Sequence, residues 1–134
     1  MGLDIYVLEG KDYYKNPDNE IFDGSYASAR EFAERSSAFM KLTDLLEDKD
    51  AIKLNPKQFS PLIPEFQSER DVAEKERTRF LKERKCEAFL QRNSNYHLGL
   101  IFGGPCMLYS RLDRCYNGLK RAKAISQFSY ILPV

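Results

Sequence analysis

Apolar residues fall along this chain in runs whose spacing changes from segment to segment. Leu3-Asp4-Ile5-Tyr6-Val7-Leu8 is β-branched and aromatic, is apolar on both faces and stops at Glu9-Gly10. It predicts a largely buried strand well inside a sheet. Residues 11–24, KDYYKNPDNEIFDG, are crowded with turn formers and predict an exposed loop or short hairpin arm anchored by Tyr13, Tyr14 and Phe22. The spacing then becomes helical. Tyr26, Ala29, Phe32, Ala33, Phe39, Met40, Leu45 and Leu46 recur at steps of three and four behind an N-cap at Ser25 or Asp23. One amphipathic helix is expected, ending in Glu47-Asp48-Lys49-Asp50, where carboxylates face the negative end of the helix dipole.

Pro56, Pro61 and Pro64 argue against a helix over residues 53–66 and predict an extended connector, pinned by Leu54, Phe59, Leu62, Ile63 and Phe66. Ser68-Glu69-Arg70-Asp71 reads as a capping-box-like start to a second helix running to about Arg92. Its first half is nearly all charge and is expected to project into solvent, steadied by pairs such as Asp71 with Lys75. Phe80, Leu81, Cys86, Ala88, Phe89 and Leu90 supply burial further on. His97 to Phe102 predicts a strand, and Gly103-Gly104-Pro105 a turn into a third helix from about Cys106. Leu108, Leu112, Cys115, Leu119 and Ala122 form its apolar stripe, widened by Tyr109 and Tyr116. Gly118 either ends that helix early or weakens it by about 1 kcal/mol. A last strand spans Gln127 to Leu132. The expected fold is α+β, or a small α/β, with helices packed on a small mixed sheet in the order β-α-α-β-α-β. Its last strand, helix and strand would form a right-handed parallel crossover.

At 134 residues and 15.6 kDa the chain suits a single globular domain over 1–134. Its 43% hydrophobic and 31% charged residues exclude a disordered or fibrous character. No run approaches the roughly 20 apolar residues of a membrane span. The start carries Asp4 where a signal peptide wants basic charge, and Tyr6 stands where a myristoylation motif wants Ser or Thr. Cys86, Cys106 and Cys115 are odd in number and unclustered, which suits free thiols in a reducing cytoplasm. The opening Met1-Gly2-Leu3-Asp4-Ile5-Tyr6-Val7 resembles the start of many small bacterial and phage proteins, a likeness of seven residues that implies no activity.

Charge changes the picture more. The 21 basic and 20 acidic residues nearly cancel, yet residues 1–67 hold 13 acids and 8 bases, net −5, while residues 68–134 hold 7 acids and 13 bases, net +6. The positive side concentrates on the third helix. Arg111, Arg114 and Arg121 share one face if the helix continues through Gly118, with Lys120 and Lys123 beside them. The acidic patch lies at Glu47, Asp48 and Asp50.

Catalytic chemistry finds little footing. With His97 opening a strand and Cys106 beyond its end, the two would stand roughly 20 Å apart, which excludes a dyad within one chain. Cys86, His97, Cys106 and Cys115 have spacings unlike a zinc motif, so no metal and no cofactor are expected. The leading expectation is a non-catalytic cytoplasmic protein that binds another protein or itself, such as a bacterial or phage regulator or inhibitor, steered by its opposed charges. One alternative is a phosphate or nucleotide ligand at the Gly103-Gly104 turn with Arg111 or Arg114. Another is nucleic acid, its phosphates on the basic helix and its bases on Tyr109 and Tyr116. Pro61-Leu62-Ile63-Pro64 matches PxxP, but its apolar neighbours argue that it packs within its own chain.

Overall fold

The computed structural model describes residues 2–7, 20–47, 53–54, 56–124 and 129–133. In chain order the elements are β1 Gly2–Val7, β2 Glu20–Ser25, α1 Tyr26–Arg35, α2 Ser37–Glu47, β3 Lys53–Leu54, α3 Pro56–Phe59, α4 Leu62–Glu83, α5 Phe89–Arg92, α6 Asn95–Phe102, α7 Gly104–Ala124 and β4 Ser129–Pro133. The class is α+β. The four strands lie in the order β2-β1-β4-β3, and every pairing is antiparallel. The mixed sheet and its parallel crossover are therefore corrected, because residues 97–102 are helical and contribute no strand.

β1 is central, as its apolar run implies. Leu3, Ile5 and Val7 are buried against the helices, while Asp4 and Tyr6 alternate to the opposite face and are half-buried. Phe22 is buried as the anchor of β2. Tyr13 and Tyr14 lie outside the described residues.

The long first helix divides at Ser36. Ser25 caps α1, its hydroxyl accepting from the Ser28 amide, as expected. At Ser36 the backbone turns extended, and its hydroxyl accepts from the Phe39 amide at 3.0 Å, starting α2 afresh. Glu69 completes that cap from α4: it accepts the Ser36 hydroxyl at 2.9 Å and the Ala38 amide at 3.3 Å. A carboxylate from a distant helix thus accepts a first-turn amide that has no acceptor within α2.

Two further expectations are corrected around Pro64. The supposed connector contains α3 and the first turn of α4, which begins at Leu62 and runs through Ser68 without a break. Pro64 sits in that first turn, where helix amides have no intrahelical acceptor and a missing N–H costs nothing. Phe59, Leu62 and Phe66 are buried as anchors. α4 then stops at Glu83, short of Arg92. The Cys86 amide bonds back to Leu81 O at 2.8 Å and the Lys85 amide to Lys82 O at 3.0 Å, with Lys85 left-handed at φ 56°. This is a Schellman stop built on a lysine.

Residues 95–102 form helix because Ser94 caps them, its hydroxyl accepting from the His97 amide. A continuous apolar run fits either a buried strand or a helix, and the cap decides. α7 runs through Gly118 to Ala124. A Cβ at Gly118 would stand 2.7 Å from Ile21 Cγ1, so this glycine lets β2 close onto the helix.

Candidate functional site

α7 is the axis on which the candidate site is built. Its stripe of Leu112, Cys115, Leu119 and Ala122 is buried, with Tyr109 and Tyr116 beside it. α4 crosses the tyrosines in a regular ladder. Arg70 lies 4.1 Å over the Tyr116 ring and Arg77 lies 3.9 Å over Tyr109, a spacing of seven residues on each helix. Asp113, midway between the tyrosines, accepts from Arg70 and from Asn95, and Asn95 accepts from Arg77 at 2.8 Å. Far from projecting wholly into solvent, the charged first half of α4 packs Arg70, Ala73 and Arg77 on α7 and leaves Val72 outside. Asp71 lies 3.8 Å from Arg70. Tyr109 and Tyr116 are covered by these guanidiniums, which removes them as a platform for nucleic-acid bases.

The opposite flank of α7 is hollowed. Three hollows follow one another between this helix and the elements β2, α1 and α6. The first, of about 250 Å³, is lined by Glu31, Phe32, Arg35, Gly103, Gly104 and Arg111. Arg111 and Met107 are shared with the second, of about 240 Å³, which adds Phe22, Asp23, Tyr96 and Leu100. Tyr96, Ser110 and Arg114 are shared in turn with the third, of about 550 Å³, which adds Glu20, Asp113 and Arg121. The result is a groove edged by Arg111, Arg114 and Arg121. Lys120 and Lys123 instead line a separate hollow with Ile63, with the Lys120 ammonium 5.1 Å from the Tyr116 ring. The basic surface of α7 is thus two surfaces.

Arg114 and Arg111 differ in what they meet. Arg114 forms an ion pair with Glu20 of β2, whose other carboxylate oxygen accepts from the Tyr6 hydroxyl at 3.3 Å. The acidic and basic halves of the chain therefore meet directly at this point. Arg111 is half-buried over the rings of Phe22 and Phe32, at 5.7 and 5.9 Å from their centroids. Burial pulls its pKa down from the usual guanidinium value, with Glu31 opposing that shift. Among the described residues Arg111 makes no ion pair.

On the far side of β1, Asp4 and Asp23 stand directly opposite each other. Burial, then the hydrogen bond and charge of Asp23, then the charge of Glu20 push the Asp4 carboxyl up to about 6. Burial and the same carboxylates push Tyr6 up to about 12.

The Gly103-Gly104 turn joins two helices in place of a strand and a helix. It lines the same hollow as Arg111, which brings two predicted features together. Its amides offer an anion little, because Pro105 has no N–H and the Cys106 and Met107 amides both donate to Gly103 O. Glu47 ends α2, whereas Asp48 and Asp50 fall outside the described residues.

His97 and Cys106 are also re-placed. The 20 Å strand between them does not exist, so that ground for separating them falls. They differ in burial instead: Cys106 is fully buried, its thiol pushed up by desolvation, while His97 is exposed. Burial also raises Cys115, whose thiol donates to Ile21 O. Among the described residues no group of three or more His, Cys, Asp or Glu is placed to hold a metal, and no helix is long and apolar enough to cross a membrane.

Sequence reasoning missed α6 entirely. At about 100° per residue, Tyr96, Leu100, His97 and Ile101 follow one another around one side of this helix. All four are exposed, Leu100 and Ile101 by 57% each, while Leu98 and Gly99 on the inner side are buried. A Cβ at Gly99 would meet Met107 Cα at 3.1 Å, so the helix is drawn tight onto α7 with its apolar side turned outward. The Ser94 cap was the available signal, and a helical wheel drawn from it finds the arc. No family model, curated protein or solved structure matches the chain.

Proposed function

We propose that this protein acts by binding another protein through the outward arc of α6 and the arginine-edged groove beside it, without catalysis of its own. One observation carries the reading: Tyr96, Leu100 and Ile101 are 49%, 57% and 57% exposed on one side of an eight-residue helix. Burying an aliphatic side chain of this size is worth about 1.5–3 kcal/mol, and contiguous apolar patches of this kind mark interaction sites. The arc forgoes that gain in the free protein. The arginines alongside supply electrostatic steering and orientation. Self-association is the homotypic form of the same activity. Three free cysteines, Cys106 and Cys115 among them fully buried, suit a reducing compartment such as the cytoplasm.

The test is site-specific photo-crosslinking in the cells that make the protein. A photoreactive residue at position 101 should yield a discrete adduct, a homodimer or a heteromer, whereas one at position 75 on the exposed side of α4 should not. No adduct from position 101, or the same adducts from both, would refute the reading.

A further inference from the structure

We infer that the segment seated in this groove couples an apolar side chain to an acidic one, and that the acid meets Arg111. The inference rests on the docking reading above and adds the chemistry of the partner. Arg111 is singled out by its setting. Of the two arginines shared between neighbouring hollows, Arg114 is paired with Glu20, whereas Arg111 makes no ion pair among the described residues and is half-buried against two rings. The Phe22 and Phe32 rings stand 5.7 and 5.9 Å from its guanidinium carbon, and half-burial excludes part of its water. A planar fork that is already partly dehydrated takes a carboxylate in two parallel hydrogen bonds at reduced desolvation cost.

The surrounding hollow sets the form of the acid. Arg35 and Arg111 against Glu31 leave one net positive charge, which matches one negative group. Phe32 and Leu108 offer apolar wall, and in the first turn of α7 Pro105 has no N–H while the Cys106 and Met107 amides are committed, so a carboxylate on an aliphatic stem fits better than a phosphate. Arg111 and Met107 also line the next hollow, together with Tyr96 and Leu100. A residue a few positions along the same segment therefore falls over Tyr96 and Leu100. Both contacts together define the ligand: an acidic and apolar peptide segment.

Capped nine-residue alanine–serine peptides carrying one leucine and one glutamate, three or four positions apart, serve as probes, each with a glutamine twin. In ¹⁵N and methyl NMR titrations the glutamate peptides should shift the Arg111 Nε–H and the Leu100 methyl resonances together. They should bind about 5- to 10-fold more tightly than their twins. Arg111→Gln, verified as folded by its amide spectrum, should erase that difference, and Lys123→Gln, with the same change in net charge, should keep it. Equal affinity of the twins, or a difference that survives Arg111→Gln, overturns the acid recognition and leaves the docking surface standing. No perturbation of α6 by either twin overturns both.

Discussion

Two hydrophobic clusters stand among the described residues, and they are built to different standards. The larger joins the sheet, α1, α2, the first half of α4 and α7 around fully buried rings: Phe39 lies 4.2 Å from Phe32 and 5.1 Å from Phe22 between centroids. The smaller, under α5 and α6, has three buried residues, Leu81, Leu98 and Cys106, padded by half-buried Phe80, Cys86, Leu90 and Phe102. Its rings meet edge to face, Phe102 with Phe80 and with Phe89. α5 buries no side chain at all. Regions with few buried apolar groups open at lower free energy than the core. The apolar arc of α6 thus lies over the weaker cluster, where a partner would supply the missing second side. Burial in the stronger cluster serves folding, while exposure above the weaker one is available for binding.

The sharpest way to break this comparison is to cut each cluster once. Phe39→Ala should cost about 4 kcal/mol and lower every probe of unfolding together. Leu98→Ala should cost about 2–3 kcal/mol, and native-state hydrogen exchange should show residues 89–102 losing protection while β1 and α2 keep theirs. Equal loss of protection in β1 would mean that the clusters are one cooperative unit.

A smaller effect should come from the sheet that backs the larger cluster. The Asp4 carboxyl is raised from 3.8 to about 6 in the folded protein. Its contribution to stability is fully present below 3.8 and is lost as pH rises through about 6, because the folded state then has to hold a carboxylate beside Asp23. Asp4→Asn should therefore stabilise the protein at pH 7 by about 1 kcal/mol, after allowance for solvent screening, and flatten its denaturation profile between pH 4 and 7. A profile unchanged by Asp4→Asn would remove the pair from the account.

Lys85 occupies a left-handed position, φ 56°, where the stop of α4 leads into the smaller cluster. Lys85→Gly should stabilise by about 0.5–1 kcal/mol, read as a rise in the denaturation midpoint at constant slope. The least effect on folding is expected from Leu100→Ser with Ile101→Ser, within about 0.5 kcal/mol of the parent. The same pair should abolish the crosslink formed from a photoreactive residue at position 97 of the α6 arc. A large loss of stability would instead assign those side chains to the fold.

Much of the architecture was legible in local chemistry. The β-branched run of β1, the Ser25 cap, the glycines and proline around the start of α7 and the stripe from Leu108 to Ala122 each announce an element through its own residues. Two of the failures come from distant contacts and the third from a local cap. Ser36 starts a new helix because Glu69, 33 residues away, reaches its hydroxyl. The charged start of α4 is half-buried because Arg70 and Arg77 find tyrosines on α7. The Leu98–Phe102 run is ambiguous by composition and becomes a helix at its Ser94 cap.

The candidate site divides in the same way. Spacing alone puts Arg111, Arg114 and Arg121 on one face, because 3.6 residues per turn is a property of the helix itself. It cannot say which of them is engaged. That follows from β2 laying Glu20 against Arg114 across 94 residues of chain, and from Phe22 and Phe32 closing under Arg111. Caps, strand alternation and helix periodicity act within a few residues and can be read in order along the chain. Ion pairing, burial and the exposure of the α6 arc depend on which distant surfaces meet, so they exist only once the chain has folded.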